Sequence, residues 1–254
     1  KRELQAPALA AGFQNPREID DLDPEGNLIQ EVLGVRKTAR DFFTEFVTHE
    51  KVFDQKFERE VFVGLCHNDL HGGNLLLDSQ GLVWLIDFAT VKKDVHVLID
   101  PTKFVSACLF LYLGDNISED FVRSIAKLLS VTPDATTALP LSSTNELIKD
   151  DPCAMFLVDL LARLRYCICI YEIGDEGPHN DGVPFAVALF SWSARMLSYN
   201  EPNLFQKTRA LYFALASAQR LLWEVGVDVG PVPLEWIEEF RQVWEGRKGR
   251  RLST

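Results

Sequence analysis

The sequence predicts a mainly α-helical fold carrying one small β-hairpin, and three observations predict it. Apolar residues recur at helical spacing between 37 and 57 and through most of the chain beyond residue 100. Between those regions, Leu75-Leu76-Leu77 and Leu82-Val83-Trp84-Leu85-Ile86 flank the turn-forming Asp78-Ser79-Gln80-Gly81, a strand-turn-strand pattern. Finally, Gly, Pro and Asp gather at a few places and set where the elements start and stop.

Residues 1–36 read as a linker or N-terminal tail, broken by Pro7, Pro16 and Pro24 and by the acidic turn at 20–27. Phe42, Phe43, Phe46, Val47, Phe53 and Phe57 form the apolar stripe of a helix over 37–57. Residues 61–66 predict a short buried strand, or an extended approach to the loop that follows. After the hairpin, Asp100 reads as an N-cap and Pro101 as the first residue of a helix containing the apolar run 104–113. Gly114 ends it. A short amphipathic helix is expected at 119–129, then a loop rich in Pro, Thr and Ser at 132–144. A long helix at 152–173 carries Phe156, Leu160, Leu161, Leu164 and Ile168, and the turn 174–178 stops it. Further helices are expected at 184–199, 203–225 and 234–245, followed by a basic tail over 247–254.

Composition narrows the function. The 254 residues are 47% hydrophobic and 25% charged, which is ordinary for a globular protein with a real core. A net charge of −11 argues against a nucleic-acid surface, which is met with Lys and Arg, and favours cationic substrates. The five cysteines, at 66, 108, 153, 167 and 169, form no C-x-x-C pair and sit mostly among apolar residues. They read as buried free thiols of a reducing, cytoplasmic compartment. No apolar run is long enough for a membrane span, and no signal peptide opens the chain. The chain starts at Lys1, and the expectation is a piece of a longer polypeptide.

The chemistry is concentrated in Cys66-His67-Asn68-Asp69-Leu70-His71-Gly72-Gly73-Asn74 and, across the hairpin, Ile86-Asp87-Phe88. A hairpin returns Asn74 and Asp87 to one end of a ribbon. Asn74 offers a neutral carbonyl oxygen and Asp87 a charged one, the donors a hard cation such as Mg²⁺ takes. Asp69 can orient a hydroxyl and accept its proton late in a transfer reaction. His67 is placed to support the loop by hydrogen bonds, and Gly72 and Gly73 remove side chains where the backbone turns beside phosphates. His71 is either a phosphate or substrate contact or an exposed loop histidine. Lys92 and Lys93 read as a solvated pair, and Asp100 as a helix cap able also to bond the loop. A zinc-hydrolase reading of His67, Asp69 and His71 fails, because one-residue alternation along a loop makes no standard zinc site.

The run H-N-D-L-H-G-G-N-L-L-L-D followed by L-I-D-F-A resembles the aminoglycoside phosphotransferase and choline kinase group of the protein-kinase-like superfamily. His71 and Ala89 stand where protein kinases usually carry Lys and Gly, which favours the small-molecule branch. W-L-I-D-F-A with His96, Asp100 and Lys103 is also similar to phosphotransferase-like domains of bacterial multidomain signalling proteins. The resemblance covers about residues 61–105. It implies a kinase-like C-terminal lobe over 37–246, divided into a catalytic loop and hairpin at 61–90 and a helical subdomain at 100–246. It further implies Asp69 as catalytic base with His67 beside it, and His71, Gly73, Asn74 and Asp87 around the nucleotide. Asn74 and Asp87 would be the metal ligands, with ATP and Mg²⁺ as cofactors.

Such kinases also have an N-lobe with a Gly-rich phosphate-covering loop and an anchoring Lys, and residues 1–66 show neither. The expected partners are therefore an N-lobe or other domains upstream in the same protein, a nucleotide and a small hydroxylated substrate. Two functions follow: an ATP- and Mg²⁺-dependent phosphotransferase to a hydroxyl, or a non-catalytic kinase-fold module for regulation or protein interaction.

Overall fold

The structure is a computed structural model, and it describes residues 22–33, 36–49, 62–114, 117–131, 151–173 and 183–227. The N-terminal stretch 1–21, Phe53 and Phe57, the loop at 132–144, the turn at 174–178, the helix at 234–245 and the basic tail lie outside the described residues. So do the side chains of Cys153, Cys167 and Cys169.

Helices dominate. They are α1 (Asn27–Leu33), α2 (Ala39–Thr48), α3 (Ile99–Ala107), α4 (Glu119–Val131), α5 (Pro152–Ile173), α6 (Val183–Leu197) and α7 (Leu204–Glu224). The strands are β1 (Val63–Cys66), β2 (Leu75–Leu77), β3 (Val83–Leu85) and β4 (Lys92–His96), paired as two separate two-stranded sheets.

The core is built around α7, whose residues from Arg209 to Leu222 are all buried. Apart from Arg209, Gln219 and Arg220 the stretch is apolar or small on every side, and such a helix is covered on every side. Accordingly α7 packs against α6, α4 and α1, while α3 packs on α6 and α5. The start of α7 is fixed by a reciprocal cap: Gln206 N–H donates to Asn203 Oδ1, and Asn203 N–H donates to Gln206 Oε1, both at 2.9 Å. Phe42, Phe43 and Phe46 of α2 enter the same core, with the Phe46 and Phe190 rings 4.8 Å apart.

The expectation of a linker over 1–36 is corrected at its C-terminal end. Residues 27–33 form α1, and Ile29 and Val32 are buried in the core. Asp23 caps this helix, its two carboxylate oxygens accepting from Leu28 N–H and Ile29 N–H. Gly26 lies at φ 70°, and a Cβ there would stand 2.2 Å from the Lys37 carbonyl oxygen. The acidic, Pro-containing stretch is thus a capping turn rather than a tail; seven helical residues are too few to show periodicity.

Of the stripe expected on the long helix α5, Leu161 is buried and Leu160 and Leu164 pack against the core, while Phe156 is 68% exposed; Ala154, Leu157 and Val158 complete the buried face.

The hairpin forms as predicted, with Leu75 opposite Leu85, Leu76 opposite Trp84 and Leu77 opposite Val83. Its turn is closed by Asp78, whose carboxylate accepts from the Gln80 and Leu82 amides and from Trp84 Nε1. The approach strand β1 is corrected from buried to largely exposed: only Cys66 is covered. It pairs antiparallel with β4, through a bulge between Gly64 and Cys66. Lys92 and Lys93, read as a solvated pair, are exposed residues of that strand.

Candidate active site

His67 to Asn74 is held from three directions. From α3, the Asp100 carboxylate accepts from His67 N–H at 2.6 Å and from Asn68 N–H at 2.7 Å. This corrects the cap assignment: Leu98 precedes the helix as N-cap, Pro101 lies one position further in than Asp100, and the Asp100 carboxylate is given to the loop. Asp100 Oδ1 accepts from Asn68, which lies in the left-handed region at φ 63°, a conformation Asn tolerates better than most residues. From the far side of the hairpin, His67 Nε2 donates to the Ile86 carbonyl at 2.8 Å. That carbonyl can only accept, so the ring carries its proton on Nε2. His67 Nδ1 is buried, with no hydrogen-bond partner among the described residues. From the short turn Phe88–Thr90, Thr90 Oγ1 donates to the His67 carbonyl at 2.8 Å.

Within the loop, Asn74 is buried and its Nδ2 donates to the Asp69 carbonyl at 2.9 Å. The same group lies 3.5 Å from Asp69 Oδ2. His71 caps the 3₁₀ turn Gly72–Asn74: its Nδ1 accepts from Gly73 N–H at 3.1 Å, and its Nε2 lies 3.8 Å from Asp69 Oδ2. His71 therefore borders Asp69 rather than standing free in solvent. Gly72 and Gly73 leave room for neighbouring side chains and take no left-handed backbone. A Cβ on Gly72 would meet the Tyr112 hydroxyl at 2.9 Å, and one on Gly73 would meet the His71 ring at 2.9 Å.

Asp87 closes the arrangement. Ile86 N–H donates to the Asn74 carbonyl at 3.1 Å, so the residue before Asp87 is bonded to Asn74 across the end of the ribbon. Asp87 itself is exposed, at φ 58°, a left-handed conformation that turns the chain out of β3. Such backbones persist where surrounding contacts fix them, and they gather at functional sites. The predicted residues His67, Asp69, His71, Gly73, Asn74 and Asp87 are thus gathered around one loop and one hairpin end.

Partial burial alone would raise the Asp69 carboxyl. The hydrogen bond and charge of Lys103, with the charges of His71 and His67, outweigh that and hold it below the usual carboxylate range. Asp69 is therefore ionised at neutral pH. Cys66, on the buried side of the loop, donates to the His96 carbonyl. Burial, and then the Asp100 charge, push its thiol up; burial pushes Cys108 up to about 11. Both are free and buried, as expected of core thiols.

Asp69 opens onto a pocket of about 320 Å³ between α3, α6 and the start of α7. Lys103, Ser106, Leu111, Trp192 and Met196 line its interior. Leu111 belongs to a π-helical turn, Cys108–Tyr112, that continues α3; such turns are frequent at functional sites. This same turn sets Tyr112 against Gly72. Lys103 was legible only as a companion of Asp100, and Trp192 carried no signal at all, since nothing in the sequence joins it to residue 69.

Asn74 and Asp87 are the residues that could hold a hard cation such as Mg²⁺. Asn74 uses its amide nitrogen within the loop, so its carbonyl oxygen and the Asp87 carboxylate accept no hydrogen bond among the described residues. Two oxygen donors are what this metal takes when phosphates and water complete its shell. Among the described residues no group of three or more His, Cys, Asp and Glu could hold a metal alone. No helix among them is long and apolar enough to cross a membrane.

The chain matches no family model, no curated protein and no solved structure. Its chemistry is therefore read from this geometry.

Proposed function

We propose that the chain carries the catalytic half of an ATP- and Mg²⁺-dependent phosphotransferase, a kinase-like C-terminal lobe of the aminoglycoside phosphotransferase and choline kinase type. The observation that carries this reading is the shared frame of three oxygen-bearing residues. Asn74 is bonded to Asp69 on one side and to Ile86 on the other, so Asp69, Asn74 and Asp87 gather at one hairpin end, and Asp69 also lines an open pocket. A bound Mg²⁺ would supply charge neutralisation on the nucleotide phosphates. Asp69, ionised and facing the pocket, orients the acceptor hydroxyl. As the new oxygen–phosphorus bond forms and the bond to the ADP oxygen breaks, the hydroxyl proton passes to its carboxylate. His67, committed to the Ile86 carbonyl, positions Asp87 and does not move a proton.

A lobe covering the nucleotide would bury the apolar ribbon. Leu77, Val83 and Trp84 are 73%, 64% and 57% exposed, and apolar side chains gathered this closely mark a contact surface. The same ribbon favours a second reading, a non-catalytic kinase-fold module that binds a protein partner there.

Nucleotide binding separates the two. Wild type is expected to bind ATP more tightly with Mg²⁺ than without, and Asp87→Asn to lose that difference. Asn is chosen because it tolerates the left-handed backbone. If Mg²⁺ changes nothing in either protein, the catalytic reading fails. In the protein with its full nucleotide cleft, Asp69→Asn should lower ATP turnover about 100-fold or more with nucleotide affinity kept.

A further inference from the structure

Lys103 stands where a cationic acceptor would have to sit. Its ammonium is paired with Asp69 Oδ1 and lies 4.6 Å from the centroid of the Trp192 ring. A carboxylate on one side and an aromatic face on the other is an arrangement that holds an ammonium ligand, by charge and by the ring quadrupole. Here the chain supplies that ammonium itself, on a side chain only 19% exposed. Arg195 adds a second cation over the same ring, 5.2 Å from its centroid.

Resting on the phosphotransferase reading, we propose that Lys103 is a specificity-determining residue that excludes amine-bearing acceptors and reserves the pocket for uncharged alcohols. An incoming ammonium must either displace Lys103 from Asp69 or bind beside a like charge. Selectivity built on such repulsion needs no extra contact with the favoured ligand. The pocket's other acid, Glu201, is solvent-exposed, where a cation gains little. His71 also borders Asp69, and it offers no second anion.

What remains of the lining suits an uncharged ligand. Ala107, Leu111, Met196 and Pro202 supply apolar wall. Ser106 lies one helical turn beyond Lys103 on α3, and its hydroxyl is buried without a hydrogen-bond partner among the described residues. A ligand hydroxyl would satisfy it. The negative net charge of the chain, which by itself favours cationic substrates, is thus overruled at the one place where an acceptor meets Asp69.

The test uses tetramethylammonium as probe, with saturation-transfer NMR on its methyl signal against the whole chain. Wild type is compared with Lys103→Met, which keeps most of the stem, and Lys103→Gln, which keeps polarity, so that a folding loss in one leaves the other. Both variants should bind the probe at least about ten-fold more tightly than wild type. Adding Asp69→Asn should remove the gain. Equal binding by wild type and the folded variants overturns the proposal, and so does absence of binding in all of them. The phosphotransferase reading fails separately, through loss of Mg²⁺-dependent nucleotide binding in wild type.

Discussion

At the scale of single residues, Asp100 clamps the loop at 67–74 from outside it. It spends its carboxylate on two successive backbone N–H groups, those of His67 and Asn68, and so fixes the direction in which Asp69 leaves the loop. Charge-assisted bonds of this kind are among the stronger ones in proteins. Asp100→Ala should therefore lower stability by about 2–3 kcal/mol, with Asp100→Asn intermediate because one oxygen acceptor remains. Chemical denaturation measures this, and an unchanged midpoint in the Ala variant would contradict the clamp. The sequence placed Asp100 at a helix start and allowed it a bond to the loop. It did not reveal that α3 begins two residues earlier, at Ile99, and leaves the carboxylate to the loop.

At the scale of elements, the β2–β3 ribbon is the most exposed part of the site and depends on its own turn. The Asp78 carboxyl is held below its usual range, first by the Trp84 indole N–H and then by the Leu82 amide. A lowered folded-state value means that the stabilisation is complete above the unfolded value, near pH 4, and disappears as pH falls through the lowered one. Protection of the Trp84 indole proton from exchange should follow that course in wild type. It should be weak at every pH in Asp78→Ala. Protection that stays constant down to the acid end would show that Asp78 is not the latch. The ribbon was legible because its turn residues and two apolar runs are local signals. Its exposure was not, because an apolar run reads as buried wherever its partner surface happens to be.

For the whole molecule, the pocket depends on α7 being seated against the end of the α3 extension. Arg209, buried in α7, donates to the Leu113 and Gly114 carbonyls, each at 2.7 Å. These bonds terminate the π-helical turn that carries Leu111 and Tyr112 to the site. Arg209→Met would leave two carbonyls without their donor and should cost about 2–3 kcal/mol. In a chain of this size that is a fall in Tm of about 5–10 °C. A thermal melt within 1–2 °C of wild type would mean that the turn is held by other contacts. No local pattern announces such an anchor: residues 113 and 209 are neighbours only after α4, α5 and α6 have packed between them in sequence and around them in space.

The sequence by itself determined the helical character, the hairpin and its turn, and the return of Asn74 and Asp87 to one end of the ribbon. All of these rest on periodicity or on spacing within a short stretch, which a linear chain expresses directly. Only the tertiary structure decided that residues 27–33 belong to the core and that β1 takes β4 as its partner. It alone paired Lys103 with Asp69 under Trp192. Those outcomes depend on which surfaces meet when α3, α6 and α7 pack, and burial and charge pairing across such sequence distances are properties of the packed chain.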